Sequence, residues 1–318
     1  MRLTRRTTLG LLAAPFIAGP AFAASRVQVV ATTGMIADAA RIVGGTGVEV
    51  QALMGPGVDP HAYRQTRSDI VAMTRADLVL WHGLFLEAQM EDFFADLGRS
   101  RRVVAVAEGL PQSLLRAHDD YEGRFDPHVW MDPALWSLVV DQVAAALTQA
   151  QPKGAEMFAA NAAAYKAELA TLGTYATDVL SRVPEEARVL LSAHDAFGYF
   201  GAAYGFEVMG IQGISTESEA GLARISELVG MLVERDIGAV FVETSVSDRN
   251  IRALIEGAAA QGHEVRIGGA LFSDAMGPEG TYEGTYIGMI DHNATTIAGA
   301  LGVDVPAGGM QGQLGQGA

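Results

Sequence analysis

The sequence predicts an α/β protein of two similar parallel-sheet lobes joined by one long backbone helix. Three observations predict it. Short apolar runs bounded by glycine or acidic residues alternate with helical patterns through the first half of the chain, and the same alternation returns in the second half. Between the halves lie about thirty residues rich in Ala, Leu, Glu and Lys, bracketed by Pro152 and Pro184.

In chain order, the first lobe, 24–150, offers strand candidates at 27–33, 48–54, 78–81 and 103–106, each followed by a segment with helical spacing. Between the first two, MIADAARIVGG places apolar residues at helical intervals and stops on Gly44-Gly45, a normal helix end. The connecting segment, 151–184, reads as one helix; at ~1.5 Å per residue it runs roughly 40 Å and spans both lobes as a stiff rod. A flexible linker would be rich in Gly and Ser instead. The second lobe, 185–305, repeats the rhythm with apolar runs at 189–192, 207–211, 239–243 and 265–267, separated by helical segments such as LARISELVGMLVERD and DRNIRALIEGAAAQG. The last stretch, 306–318, lacks periodicity and is expected to be a flexible tail.

Ahead of the first lobe, residues 1–23 put three arginines before an apolar run and close on Ala21-Phe22-Ala23, the pattern of a signal peptide cleaved after Ala23. The run is shorter than the roughly 20 apolar residues a spanning helix needs and is broken by Pro15 and Pro20. Arg5-Arg6 suits twin-arginine export, but paired arginines also occur in ordinary secretory signals, so both routes stay open. Cleavage leaves about 295 residues, roughly two domains' worth. It also removes three arginines, which moves the formal charge from -15 to -18. Such an acidic surface repels phosphate backbones and anionic lipid, which argues against nucleic acid and membrane surfaces as partners. Cysteine is absent, so disulfides, thiolate metal sites and cysteine nucleophiles are excluded; any metal has to be held by nitrogen and oxygen.

Seven histidines occur, and their settings separate them. His61 in GPGVDPHAY and His128 in DPHVWMDP share the triplet Asp-Pro-His, in which proline fixes its own φ and restrains the residue before it, so the histidine stands on a stiff backbone. His194 follows the apolar run VLLS, and Asp274 follows another apolar run in ALFSDAMGPEG; both fall where a parallel strand ends, the edge at which open α/β sheets gather ligands. Two such residues per lobe would converge in the cleft between lobes. Three imidazoles and a carboxylate suit Zn²⁺, and a bidentate carboxylate raises the coordination number toward what Mn²⁺ accepts. Taken singly, each also reads as a hydrogen-bonded or surface histidine, or as a capping aspartate, and spacing does not decide between the two. His82, His118, His263 and His292 carry no such pattern.

At these residues the chain resembles the cluster A-I substrate-binding proteins of ABC importers, a metal-receptor family with a TroA-like branch. The blocks VATTGMIADAARIVGG, GVDPHAY, DPHVWMDP, LLSAHDAFGYFGAAYG, GISTESEAGL, VFVETSVSDRNI and LFSDAMGPEGTYEGTY carry the likeness, in order, over nearly the whole mature chain. The resemblance implies a periplasmic receptor whose two lobes, joined by one helix, hold a single Zn²⁺ or Mn²⁺ as transported ligand through His61, His128, His194 and Asp274. It implies a separate ABC permease and its ATPase as partners, and a monomeric receptor. Histidine at the third position looks like the TroA branch, for which both ions are open, whereas the single His118 before His128 is unlike the His-rich loop of dedicated zinc receptors. Carboxylates that orient the imidazoles are expected among Glu243, Asp59, Asp126 and Asp195.

Two other classes remain on the residues alone: a metal-dependent hydrolase using the same donors, and an adhesion or interaction protein with a structural metal. No HExxH or GxSxG motif supports the first, and the chain lacks the phosphate loop GxxxxGK[ST] of an ATPase. It is therefore expected not to be an enzyme.

Overall fold

The computed structural model describes residues 26–118 and 121–315. The expected signal peptide, its cleavage after Ala23 and the Arg5-Arg6 pair lie outside the described residues, as do Asp119 and Asp120. In the first lobe, four short runs of mostly β-branched and aliphatic residues form β1 (Val27–Ala31), β2 (Val48–Ala52), β3 (Leu78–Trp81) and β4 (Val103–Ala105), all parallel in the order β2-β1-β3-β4. Each connection crosses through a helix, since parallel neighbours cannot be joined by a tight hairpin. These are α1 (Gly34–Gly44), α2 (Arg67–Arg75) and α3 (Glu91–Leu97). Thr33 caps α1 and a Thr66/Asp69 capping box opens α2.

After α4 (Pro133–Ala150), a 3₁₀ turn over Pro152–Gly154 leads into α5 (Ala155–Ser181), 27 residues long. The helix is thus a little shorter than the 151–184 segment its composition suggests, because Pro152 opens a 3₁₀ turn ahead of it and it ends at Ser181, ahead of Pro184, which disfavours helix in the residue before it. Phe158, Ala162, Tyr165, Leu169, Leu172, Ala176 and Val179 are buried at spacings of three and four, one face of the helix. That face lies on α1 and α4 at one end and on α6 (Gly198–Tyr204) and α9 (Tyr286–Ala300) toward the other. Asn161 Nδ2 donates to the carbonyl of Val43 in α1, and the Tyr175 and Thr295 hydroxyls join α5 to α9 at 2.8 Å. With each fully buried Leu or Phe contributing ~1.5–3 kcal/mol, α5 is a fixed spine.

The second lobe reuses the first lobe's topology. β5 (Val189–His194) pairs with β6 (Glu207–Gln212) and β7 (Ala239–Glu243) pairs with β8 (Arg266–Leu271), two parallel two-stranded sheets, with β5 packed beside β7 so that the strands lie in the order β6-β5-β7-β8. Helices α6, α7 (Leu222–Glu234) and α8 (Arg249–Ala260) make the crossovers. Strand β8 continues through Gly268-Gly269, where the sequence suggests an end. α9 packs so close that a Cβ on Gly269 would stand 2.4 Å from Thr296.

Residues 306–318 are the stretch expected to be a flexible tail. Over their described part they follow a defined path of turns: the Met310 N–H donates to both Asp291 oxygens (3.0 and 2.9 Å) and the Gly315 N–H to Glu283 Oε1 at 2.8 Å. Order there comes from hydrogen bonds to a buried carboxylate, which leaves no apolar periodicity to read. No helix among the described residues is long and apolar enough to cross a membrane.

Candidate metal centre

The parallel strands of both lobes end on one cleft, and the residues just past those ends meet there. His61 follows β2 and His128 follows β4; His194 is the last residue of β5 rather than the first after it; Asp274 lies three residues past β8. The repeated Asp-Pro-His has a local physical cause. In both copies the aspartate carboxylate accepts the backbone N–H of the histidine two residues on, Asp59 Oδ1 from His61 at 2.8 Å and Asp126 Oδ1 from His128 at 2.9 Å. An Asx turn tightened by proline therefore sets the direction of each histidine.

The carboxylates then diverge in use. Asp126 Oδ1 also accepts the ring N–H of His128 at Nδ1 (2.7 Å). Glu243, the last residue of β7, accepts both the backbone N–H and the Nδ1 ring N–H of His194, at 2.9 and 2.5 Å. With Nδ1 committed to a carboxylate, Nε2 of each ring is the atom that faces the cleft and can donate to a metal once it gives up its proton. Asp59 instead gives its second oxygen to Thr216, and the His194 ring N–H goes to Glu243; the Asp195 backbone N–H donates to Gly213. Of the carboxylates expected to orient ligands, Asp126 and Glu243 thus each hold a ring and Asp59 holds a backbone N–H.

Nε2 of His61 lies 3.3 Å from Nε2 of His128, Asp274 Oδ1 is 3.4 Å from His128 Nε2, and Asp274 Oδ2 is 3.2 Å from His194 Nε2. One potential donor atom from each residue falls within 4.8 Å of all the others, and all four residues are buried. His194 Nε2 and both Asp274 oxygens are shielded from solvent yet make no hydrogen bond. Buried polar atoms left unbonded are costly, and here they converge. Donors bound at 2.0–2.2 Å to one tetrahedral ion stand about 3.3–3.6 Å apart, close to the spacings observed.

Electrostatics divide the donors. Burial pushes His61 well below the ordinary imidazole pKa, and repulsion from His128 and His194 outweighs nothing but adds to it, against the opposing charge of Asp274. For His128 burial acts downward too, but Asp126, through hydrogen bond and charge, and then Asp274 push it up to about 9. His194 is likewise raised, with burial overcome by the charges of Asp274 and Glu243. Burial opposes ionisation of Asp274, but the charge of His194 and contacts with His128 hold its carboxyl well below the usual range. In the metal-free site the two imidazoles paired with carboxylates therefore hold a proton more tightly than His61 does.

Several supporting residues carry no sequence signal of their own. The His82 Nε2–H donates to the Pro127 carbonyl at 2.7 Å and braces the turn before His128. The Trp130 indole N–H donates to the Ser273 carbonyl at 2.8 Å, joining the His128 turn of one lobe to the Asp274 turn of the other. Asn293 of α9 both accepts from and donates to the backbone of Phe272. Trp130 stands two residues after His128 in DPHVWMDP, which is the one available hint. His263 and His292 donate to the carbonyls of Ile237 and Ala270, and the His118 ring packs on Tyr121.

A family model described as "Zinc-uptake complex component A periplasmic", ZnuA, matches residues 29–300. Among relatives, the manganese-binding lipoprotein MntA of Bacillus subtilis is 49% identical over 277 residues, 87% of this chain and 90% of that protein. The zinc-binding protein TroA of Treponema pallidum is 47% identical over 273 residues, 86% of this chain and 88% of that protein. The solved structure of the periplasmic zinc-binding protein TroA from Treponema pallidum superposes with a TM-score of 0.85 at 46% identity, covering 87% of this chain and 99% of that one. The chain is thus a TroA-like metal-binding substrate-binding protein of an ABC transporter and not an enzyme, and it belongs to the ZnuA family.

Proposed function

We propose that the protein captures one divalent transition metal in the periplasm through His61, His128, His194 and Asp274 and hands it, as a monomer, to an ABC permease driven by a separate ATPase. An N-terminal signal peptide, by the general or the twin-arginine route, accounts for export. The observation that carries the ligand assignment is the convergence of His194 Nε2 and both unbonded Asp274 oxygens on the Nε2 atoms of His61 and His128, with solvent excluded. Each Asp274 oxygen faces a different imidazole, so the carboxylate can bind through one oxygen or two. Four donor atoms suit zinc and five suit manganese, in keeping with relatives of nearly equal identity named for each ion.

Four protein ligands close the coordination sphere and leave no open position for the activated water a hydrolase requires. A structural metal would be needed for folding. Here the largest apolar core runs through α5 from the first lobe into the second, with a smaller cluster in each, and none of them contains a cleft donor.

Competition of metal-free protein against a chelating dye tests the assignment. One ion should bind per chain, with zinc at least about tenfold tighter than manganese because nitrogen-rich sites follow the Irving–Williams order. Circular dichroism should be unchanged by chelation. Binding of neither ion, a stoichiometry of two, or unfolding on chelation would contradict it.

A further inference from the structure

His128, His194 and Asp274 are braced from inside the fold, but His61 stands on a segment between β2 and α2 without regular secondary structure. Within it Gly57 has φ +71, a left-handed conformation glycine adopts without strain and a natural joint for the turn that follows. What fastens this turn comes from the other lobe. The Thr216 hydroxyl, in the loop between β6 and α7, donates to Asp59 Oδ2 at 2.6 Å, while Asp59 Oδ1 holds the His61 backbone N–H at 2.8 Å. The loop is itself braced from β6: Gln212, largely buried, donates from Nε2 to the carbonyls of Thr216 (3.4 Å) and Ser218 (3.1 Å). A second tie crosses between lobes beside it, from Gln89 Nε2 to Glu217 Oε1 at 2.6 Å.

A continuous path of hydrogen bonds therefore runs from the end of β6 through Gln212, Thr216 and Asp59 to His61. We infer that Thr216 is a positioning residue that latches the second lobe onto the His61 turn and thereby sets how fast the metal leaves. This rests on the assignment of His61 as a ligand. Thr216 is not one of the ion's donors; its hydroxyl holds the carboxylate that orients one of them, so loss of that hydroxyl should loosen His61 without removing a ligand. With the latch open, the Asp-Pro-His turn keeps its internal Asx bond but is no longer tied to the opposite lobe, and His61 can swing away with its loop. Capture needs no such event, since an ion meeting three braced donors is held while the turn closes.

The test is metal release from loaded protein chased with excess chelator, for Thr216→Val, which is nearly isosteric but lacks the hydroxyl, and Thr216→Ser, which restores it. Losing a hydrogen bond to a carboxylate should speed release about tenfold in Thr216→Val. Capture rate and the thermal midpoint of the metal-free protein should be unchanged, and Thr216→Ser should release at the wild-type rate. Wild-type release in Thr216→Val, a lowered metal-free midpoint that accounts for faster release, or a Thr216→Ser variant as fast as Thr216→Val would overturn the latch. Undiminished affinity in His61→Ala would instead overturn the ligand assignment beneath it.

Discussion

Replacing His194 by alanine lowers the affinity for both zinc and manganese by at least an order of magnitude. The substitution removes one of four donors and does more besides. Glu243 currently accepts two hydrogen bonds from His194, and Asp274 faces its Nε2. Alanine keeps the backbone N–H bond but leaves two buried carboxylates without the imidazole between them, and breaking a buried ion pair in this way costs ~3–5 kcal/mol. Asp274 is then free to turn, so the loss of affinity should exceed that of one metal bond. Because the metal-free fold is weakened as well, binding is measured by dye competition at a temperature where circular dichroism shows the variant folded. Wild-type affinity in folded His194→Ala protein would remove His194 from the site.

Metal affinity rises steeply with pH across the neutral range, with protons displaced from His128 and His194 as the ion binds. Ordinary imidazoles would bind well down to about pH 6. The structure moves that window upward, because Asp126 and Asp274 push His128 up to about 9 and Asp274 with Glu243 raises His194. The sign follows from competition: both Nε2 atoms carry protons in the metal-free site below those pKa values, the metal needs their lone pairs, and each step toward alkaline pH weakens the competitor. While both protons must be displaced, affinity changes by up to about 100-fold per pH unit. The metal-free fold responds in the opposite sense. Ion pairs of the raised histidines stabilise it fully below pH 6.5, and that contribution fades as pH rises through about 9. Calorimetric titrations in buffers of different ionisation enthalpy count the protons; a flat affinity from pH 5 to 8 with no proton release would contradict the charge state derived for the site.

The elements most legible in the sequence are those fixed by local chemistry. Apolar runs at 78–81 and at 239–242, the latter closed by Glu243, coincide with β3 and β7, because a buried parallel strand needs apolar residues on both faces. The Asp-Pro-His triplets marked His61 and His128 because the turn they build is contained within three residues. Features made by distant partners were not legible. Nothing local to β8 announces that a strand continues through two glycines, since the cause is α9 packing against it. Glu243, closing an apolar strand, was the stronger candidate to orient an imidazole, but that its partner is His194 follows only from the adjacency of β5 and β7. Thr216, Trp130 and Asn293 act through one or two hydrogen bonds to the backbone or to a carboxylate, a role that residue type does not disclose. Seven ordered blocks of family likeness linked four separate residues into one candidate site, and the geometry supplies the physical reason they belong together.

The central claim, one ion held between two rigid lobes by three imidazoles and a carboxylate, is tested most directly by anomalous diffraction from crystals of the manganese- or zinc-loaded protein. The account predicts a single peak in the cleft, about 2.0–2.2 Å from Nε2 of His61, His128 and His194 and from the Asp274 carboxylate. A peak elsewhere, or one bound by a different set of side chains, would contradict it.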